Sequence, residues 1–421
     1  MIFLFWLSIA LIIYTYIGYG VLVYILLKIK RFFSGGADAR DSTTNSAANN
    51  SINSATKSST NLQSPISANA EQTTISADQL PTLTIIVAAY NEAACIEAKI
   101  NNTLSLSYPK EQVSYIFITD GSTDATPEIV SQYPAIKGMH SPVRSGKIAA
   151  VHRAMQEVKS EIVVFTDANT LLNQDALLKI CRHYQDEKTG AVAGEKRVNI
   201  EDSADATAGE GFYWKYESAL KKWDSALYSV VGAAGELFSI RTKLYQPVET
   251  DTLLDDFMLS MRIAQKGYRI VYEPEAYATE TSSADTKEEL KRKIRIAAGG
   301  VQSAIRLKGL LWPFRQPVLS FQYISHRLLR WVLTPYLMVL VLLLNIPLST
   351  NQGGIYTLMM YGQVLFYLSA TVGWILQSRK IKFRLFFIPY YFCLMNYAVF
   401  AGAYRYFFSQ QTVLWDKAKR K

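Results

Sequence analysis

Three apolar runs between Leu83 and Asn169 each end in small and acidic residues, and this pattern restricts the fold more than anything else in the chain. Leu83-Thr84-Ile85-Ile86-Val87-Ala88-Ala89 runs into Tyr90-Asn91-Glu92. Val113 to Thr119 runs into Asp120-Gly121-Ser122-Thr123-Asp124, and Ile162 to Thr166 into Asp167-Ala168-Asn169. Strands covered on both faces need near-continuous apolar runs, and parallel sheets are built from them. Helical stretches lie between: Glu92 to about Thr103, Thr126 to about Gln132, and Ile148 to Val158 after a loop from His140 to Lys147. The alternation predicts an α/β sheet. Ligands in such sheets sit outside the carboxyl ends of the strands, so the three polar ends predict one crevice. No Gly-x-Gly-x-x-Gly follows the first strand and no Walker-type Gly-Lys-Ser/Thr occurs, which removes the best support for a dinucleotide or P-loop site.

The flanking composition sets this sheet beside a membrane. The 421 residues exceed one ordinary core, and the 49% hydrophobic content is unevenly placed. Residues 1–27 carry no charge, a run able to cross a hydrocarbon layer of about 30 Å as a helix. A cleavable signal peptide would have a shorter apolar region followed by a small-residue cleavage site. Lys28, Lys30 and Arg31 come next and place the following segment in the cytoplasm. Residues 28–79 form a basic flank and a Ser, Asn, Ala and Thr tract that buries too little to offset ordering, so a disordered tether is expected. The soluble domain is expected over 80–303, a basic amphipathic headgroup segment over 304–331, about three spans within 332–407, and a basic tail over 408–421. Ser378 to Arg384 is inside by its charge. Three spans then put the tail outside, whereas Lys417, Lys419, Arg420 and Lys421 favour the inside, so the two signals oppose each other.

The net charge of +9 is accounted for by these flanks and by phosphate contacts, and no nucleic-acid partner is needed. The three cysteines and four histidines are scattered, giving neither a disulfide framework nor a metal set. His326, beside Arg327 and Trp331, reads as interfacial packing. Ala191 to Val198 predicts a strand, Gly209 to Glu217 opens a helix whose aromatics suit core packing, and Ser229 to Glu236 reads as a strand and tight loop. A helix from Met258 to Lys266 and a strand from Tyr268 to Tyr272 follow.

Val-Ala-Ala-Tyr-Asn-Glu at 87–92, Asp-Gly-Ser-Thr-Asp at 120–124, Ser-Gly-Lys at 145–147 and Asp-Ala-Asn at 167–169 stand in an order that resembles family 2 glycosyltransferases of the GT-A fold. The resemblance extends across nearly all of the chain outside the tether. It is nearest to the membrane-embedded enzymes akin to cellulose, hyaluronan and poly-N-acetylglucosamine synthases. It implies donor and nucleotide contacts at Ala89, Glu92, Asp120, Lys147, Asp167 and Arg295, and acceptor contacts at Gly232, Gly235 and Glu236. It also implies a divalent cation, Mg²⁺ or Mn²⁺, at Asp167 and Asn169, and a general base at Asp256 with Asp255 as the alternative.

The chemistry makes sense of these residue types. A sugar leaving a nucleoside diphosphate develops negative charge that a cation stabilises, and a sugar hydroxyl is a poor nucleophile until a base takes its proton. Taken singly the residues have plainer readings. Lys147 would be a solvated lysine at a helix start, Asp120 and Asp124 turn and cap residues, and Asp255-Asp256 a dipole-stabilised helix start.

The chain departs from the resemblance in two places. Asn169 supplies a neutral oxygen where the pattern has an acid. In the stretch that resembles the family's Gln-x-x-Arg-Trp helix, Arg295 keeps the cation, but Arg292 and Ile296 replace Gln and the acceptor-stacking Trp. The resemblance therefore implies an inverting transferase moving one or a few sugars from a nucleotide sugar, UDP-linked in this reading, to a glycan or lipid-linked acceptor. It would be a multi-pass protein of the inner membrane with its catalytic domain in the cytoplasm, in contact with lipids and with export or polymerisation partners. The alternatives are a processive polysaccharide synthase and, in another class, a catalytically silent module that binds nucleotide sugars. A transporter has little support, since the spans carry no intramembrane charges from which to build a pathway.

Overall fold

The computed structural model describes residues 1–41, 80–199, 207–281, 286–379, 381 and 383–408. The expected tether beyond residue 41 and the basic tail beyond residue 408 lie outside the described residues. Helix α1 (Ile2–Ile13) passes through a π-helical turn, Tyr14–Gly18, into α2 (Tyr19–Asp41). The soluble part follows as β1 (Leu83–Ala89), α3 (Ile96–Leu104), β2 (Val113–Asp120), α4 (Thr126–Ser131), β3 (Lys137–Ser141), α5 (Lys147–Met155), β4 (Ile162–Asp167), β5 (Thr170–Leu172) and α6 (Ala176–Cys181). It continues with β6 (Thr189–Asn199), α7 (Thr207–Leu227), β7 (Leu237–Arg241), α8 (Asp255–Gln265), β8 (Arg269–Thr281) and α9 (Thr286–Arg306). The chain closes with α10 (Pro317–Gln322), a π-helical stretch Tyr323–Leu333, α11 (Thr334–Asn351), α12 (Ile355–Ser378) and α13 (Arg384–Phe408).

The eight strands among the described residues share one mixed sheet in the order β3-β2-β1-β4-β7-β6-β8-β5. The first four are parallel, and β7 joins β4 antiparallel. Side chains alternate across β1: Leu83, Ile85, Val87 and Ala89 enter the layer under α3 and α6, while Ile86 enters the one under α5 and α8. Two covered faces are why β1, β2 and β4 read as continuous apolar runs.

Three local expectations are corrected. The first helix starts at Ile96 rather than Glu92, because Asn91 adopts a left-handed φ of 53° and the Glu92 carbonyl closes a turn on Cys95 and Ile96. Asn tolerates that conformation better than most residues. Ser229 to Glu236 is not a strand: it is a buried irregular segment, and the strand that pairs with β4 begins only at Leu237. At Gly232, φ is +82° and the Phe257 ring lies where a side chain would project, so the segment bends away from the ladder there. The expected loop from His140 also starts later, since His140 and Ser141 end the edge strand β3.

Among the described residues, four helices are long and apolar enough to cross a membrane: Ile2–Phe33, Pro317–Asn351, Ile355–Ser378 and Leu385–Phe408. The second begins inside the stretch expected to lie in the headgroup plane. Its first turns bury Leu319 and Tyr323 in the core under α5 and α8, so this helix is part of the domain before it leaves it. On the surface just before it, Trp312 and Phe314 are exposed. Helix α13 crosses α9 at Gly402, where an added Cβ would lie 2.6 Å from that of Ala297 and 2.7 Å from the backbone nitrogen of Ala298. The two helices therefore touch backbone to backbone.

Candidate active site

The three polar strand ends meet, each held by a different local device. At the end of β1, the Asn91 side-chain oxygen accepts from the Thr123 backbone at 2.8 Å, and Ser122 Oγ accepts from the Asn91 backbone at 3.2 Å. At the end of β2, Asp124 accepts from the backbones of Ala93 and Thr126, both at 3.0 Å, which is the turn role its position predicts, one residue ahead of the N-cap Ala125. Asp120 is buried and accepts from the backbone nitrogens of Ser145 at 2.8 Å and Gly146 at 2.6 Å, and from Arg153 at 2.7 Å. That carboxylate fixes the turn that starts α5. Lys147, the first residue of α5, is thereby aimed across the crevice, and its Nζ reaches Asp167 Oδ1 at 2.6 Å.

The last two carboxylates come from the far side. Asp255 and Asp256 open α8, and burial, then the adjacent Asp255 carboxylate, push Asp256 up to about 7 against the pull of Lys147. Burial acts against the charge of Lys147, but Asp167 and Asp255 outweigh it and hold the amine above the usual lysine range. A Cβ added to Gly235 would lie 3.4 Å from both Asp256 Oδ2 and Lys147 Nζ, so this glycine forms the floor between the two side chains. Arg295 projects from α9 within electrostatic range of Asp255, Asp256 and Asp167. Burial lowers its pKa and the three carboxylates work the other way.

The remaining expected residues fall around this centre. Ala89 ends β1 in a buried position, and Glu92 Oε2 accepts from Cys95 Sγ at 3.2 Å. Glu236 is paired with the buried Lys196. Burial opposes its charge, but Lys196 holds it down to about 2, so it is fixed as a carboxylate and as an anchor for the wall beside Gly235. Asn169 lies two residues past Asp167, half-buried, in the turn between β4 and β5.

Sequence reasoning missed Lys99, Arg153 and Lys196. Lys99 is fully buried beneath the turn, donating to Thr166 Oγ1 and to the Thr170 carbonyl, each at 2.8 Å. Burial lowers it to about 7, with Asp167 acting against the shift. Its signal was in the sequence: at helical spacing Lys99 lies on the same face of α3 as the buried Ile96 and Thr103.

The donor chemistry also bears on a metal. Asp167 and Asn169 offer a carboxylate and an amide oxygen, and no group of three or more His, Cys, Asp or Glu able to hold a metal occurs among the described residues. Two hard oxygen donors fit an ion of the Mg²⁺ type that takes its other ligands from a diphosphate and water, not one caged by protein alone.

Comparison with known proteins bears on the fold and the family. Residues 84–248 match the family described as Glycosyl transferase family 2. Poly-beta-1,6-N-acetyl-D-glucosamine synthase of Staphylococcus aureus is 27% identical over 242 residues, 55% of this chain and 58% of the relative. The Staphylococcus epidermidis enzyme of the same name is 25% identical over 281 residues, 64% of this chain and 67% of the relative. The chain thus matches little more than half the length of the S. aureus relative. Among solved structures, a mannosyltransferase from Pyrobaculum calidifontis, in complex with GDP-Man and Mn²⁺, superposes with a TM-score of 0.61 at 22% identity. The superposition covers 80% of this chain and 89% of that one, and it shows the GT-A fold.

Two outcomes follow from the geometry. Gly232→Ala must both adopt a left-handed backbone and displace the Phe257 ring, at a cost of about 3 kcal/mol, whereas Gly235→Ala meets only ordinary contacts and stays within about 0.5 kcal/mol. Thermal melting of the two purified variants separates them. For Lys99, the folded pKa near 7 lies below the ordinary lysine value of about 10.4, so the unfolded chain binds more protons between these values and stability rises with pH across that window. Melting temperatures from pH 7 to 10 should show this slope in the wild type and lose its Lys99 component in Lys99→Met.

Proposed function

We propose that this chain, a family 2 glycosyltransferase of the GT-A fold, moves a sugar from a UDP-linked donor to a glycan or lipid-linked acceptor at the membrane, with inversion at the anomeric carbon. The observation that carries the reading is the meeting of Lys147, Asp167 and Asp256 around Gly235 at the carboxyl end of β4. A base with a pKa near neutrality is ionised enough to act and basic enough to take a proton, which is what burial and Asp255 provide at Asp256.

In this reading the acceptor hydroxyl gives its proton to Asp256 as its oxygen bonds to the anomeric carbon, and the bond from that carbon to the diphosphate breaks on the opposite face. Lys147 and Arg295 face the departing diphosphate with fixed positive charge, which needs no reorganisation as the charge develops. Ala89, Glu92 and Asp120 line the nucleotide end of the crevice, with Asp120 shaping it through the Ser145–Gly146 turn. Gly232, Gly235 and Glu236 form the acceptor side. Asp167 and Asn169 would hold a divalent cation, Mg²⁺ or Mn²⁺, which when bound stabilises charge on the leaving diphosphate.

The four long apolar helices, with Lys28, Lys30 and Arg31 at the end of the first, support a multi-pass protein of the inner membrane with this domain on the cytoplasmic side. Membrane lipids and export or polymerisation partners complete the reading. A processive polysaccharide synthase is the second reading, favoured by the similarity to the staphylococcal polymer synthases. Ile296, where an acceptor-stacking aromatic is expected, favours short products instead.

The deciding measurement is nucleoside diphosphate release from a panel of nucleotide sugars by the full chain in membranes, with lipid extract, and with Mg²⁺, Mn²⁺ or a chelator. Asp256→Asn should lower kcat by about a thousandfold while donor binding persists. Below pH 7 Asp256 is mostly protonated and cannot accept a proton, so wild-type kcat/KM should rise with pH and level off above about 7. Binding without turnover of any donor would instead favour the silent module, and product length separates single transfer from polymerisation.

A further inference from the structure

A buried cluster of charges outside the crevice joins three helices. Glu217 and Asp224 lie two turns apart on one side of α7, both buried. Asp224 accepts from the Tyr19 hydroxyl of α2, and His326 Nδ1 lies 2.5 Å from its other oxygen. Gln322 donates to the Asp224 carbonyl at 2.9 Å, and its own oxygen accepts from the Ser229 backbone at 3.4 Å. Glu217 meets Arg327 at 2.9 Å and Arg330 at 3.0 Å, with His326 Nε2 at 3.5 Å. Burial opposes the charge of Glu217, but Arg330, then Arg327 and His326, hold it well below the usual carboxylate range.

Buried ion pairs of this kind contribute little net stability over apolar packing, and their best-attested use is to specify one arrangement. Here the arrangement reaches the acceptor side of the crevice. Arg327 Nε donates to the Val231 carbonyl at 3.4 Å, one residue before Gly232 and four before Gly235. The Arg327 guanidinium lies 5.7 Å from the Trp331 ring centroid, and that ring packs 5.2 Å from Phe257. Phe257 follows Asp256 and fills the space over Gly232. One side chain thus touches a carboxylate of α7, the wall of the crevice and the aromatic pair behind the base.

We propose that Arg327 is a positioning residue through which the helix Pro317–Asn351 sets the wall Ser229–Glu236 against Asp256, an inference that rests on the transferase reading. Arg327 takes no part in bond making. It fixes the distance between the floor on which an acceptor lies and the carboxylate that deprotonates it, a distance on which reaction rates depend steeply.

The test uses the full chain in lipid nanodiscs, comparing wild type with Arg327→Met, Arg327→Lys and, as a control at an exposed pair, Lys137→Met. Hydrogen exchange is expected to rise about tenfold in Arg327→Met within residues 229–236 and 255–258 and to stay unchanged in β1 and β2. In the same preparations kcat should fall about a hundredfold with donor KM unchanged. Arg327→Lys keeps the charge at Glu217 but not the forked donor, and should show both effects in reduced form. Lys137→Met should match the wild type. Unchanged exchange in 229–236, an increase shared by β1 and β2, or a loss confined to donor KM would overturn the proposal. Should Arg327→Met fail to fold, Arg327→Lys decides by the same localised pattern. If the wild type turns over no donor, the transferase reading fails on that arm, while the exchange arm still decides whether Arg327 holds the wall.

Discussion

Asp167, Asp255 and Asp256 face one crevice, and like charges in such a space repel unless cations are held among them. Lys147 is the central one: it pairs with Asp167 at 2.6 Å and acts electrostatically on both aspartates of α8. Its place follows from Asp120, whose buried carboxylate gathers the Ser145 and Gly146 nitrogens and Arg153 and so fixes the first turn of α5. Removing Asp120 would therefore disturb the crevice even without touching a substrate. The compensation is incomplete at Asp256, where burial and Asp255 outweigh Lys147 and push the carboxyl up to about 7, the property that the proposed role as base requires.

The parallel half of the sheet was legible because burial on two faces leaves a strong trace. A strand such as Leu83–Ala89 has no room for a polar face, and its end is marked by the change to Asn91 and Glu92. Other strands carry weaker traces. Lys137–Ser141 is an edge strand with mostly exposed side chains, so nothing in its composition demands pairing. Leu237–Arg241 was overshadowed by Ser-Val-Val-Gly-Ala-Ala just before it, which is apolar enough to read as a strand. Its departure from the ladder depends on Phe257, twenty-five residues away, filling the space at Gly232.

The same limit applies to the candidate site. Asp120, Lys147, Asp167 and Asp256 stand in recognisable motifs, and the fold brings Lys147, Asp167 and Asp256 together. Lys99, Arg153 and Lys196 have no motif, because each acts by holding another residue: Lys99 supports the β4 turn, Arg153 neutralises Asp120, and Lys196 pins Glu236. Glu217 and Asp224 read as ordinary polar positions of an amphipathic helix. The packing of α2 and of the helix starting at Pro317 makes them a buried pair.

That packing also sets how far the catalytic part and the membrane part are separate bodies. Leu319 and Tyr323 are as buried in the core under α5 and α8 as any residue of the sheet, and Gly402 of α13 lies against the backbone of the helix that carries Arg295. Tyr19, within the first long apolar helix, reaches Asp224 of α7. Among the described residues, three of the four apolar helices therefore contact elements of the soluble part, and two of them contact elements beside the crevice. A helix that tilts in response to lipid thickness must carry some of that displacement into α7, α9 or the wall at Ser229–Glu236, because close-packed interfaces transmit strain instead of absorbing it. The membrane helices thus pack on elements around the site, and Arg327, which donates to the Val231 carbonyl, links one of them directly to the wall Ser229–Glu236.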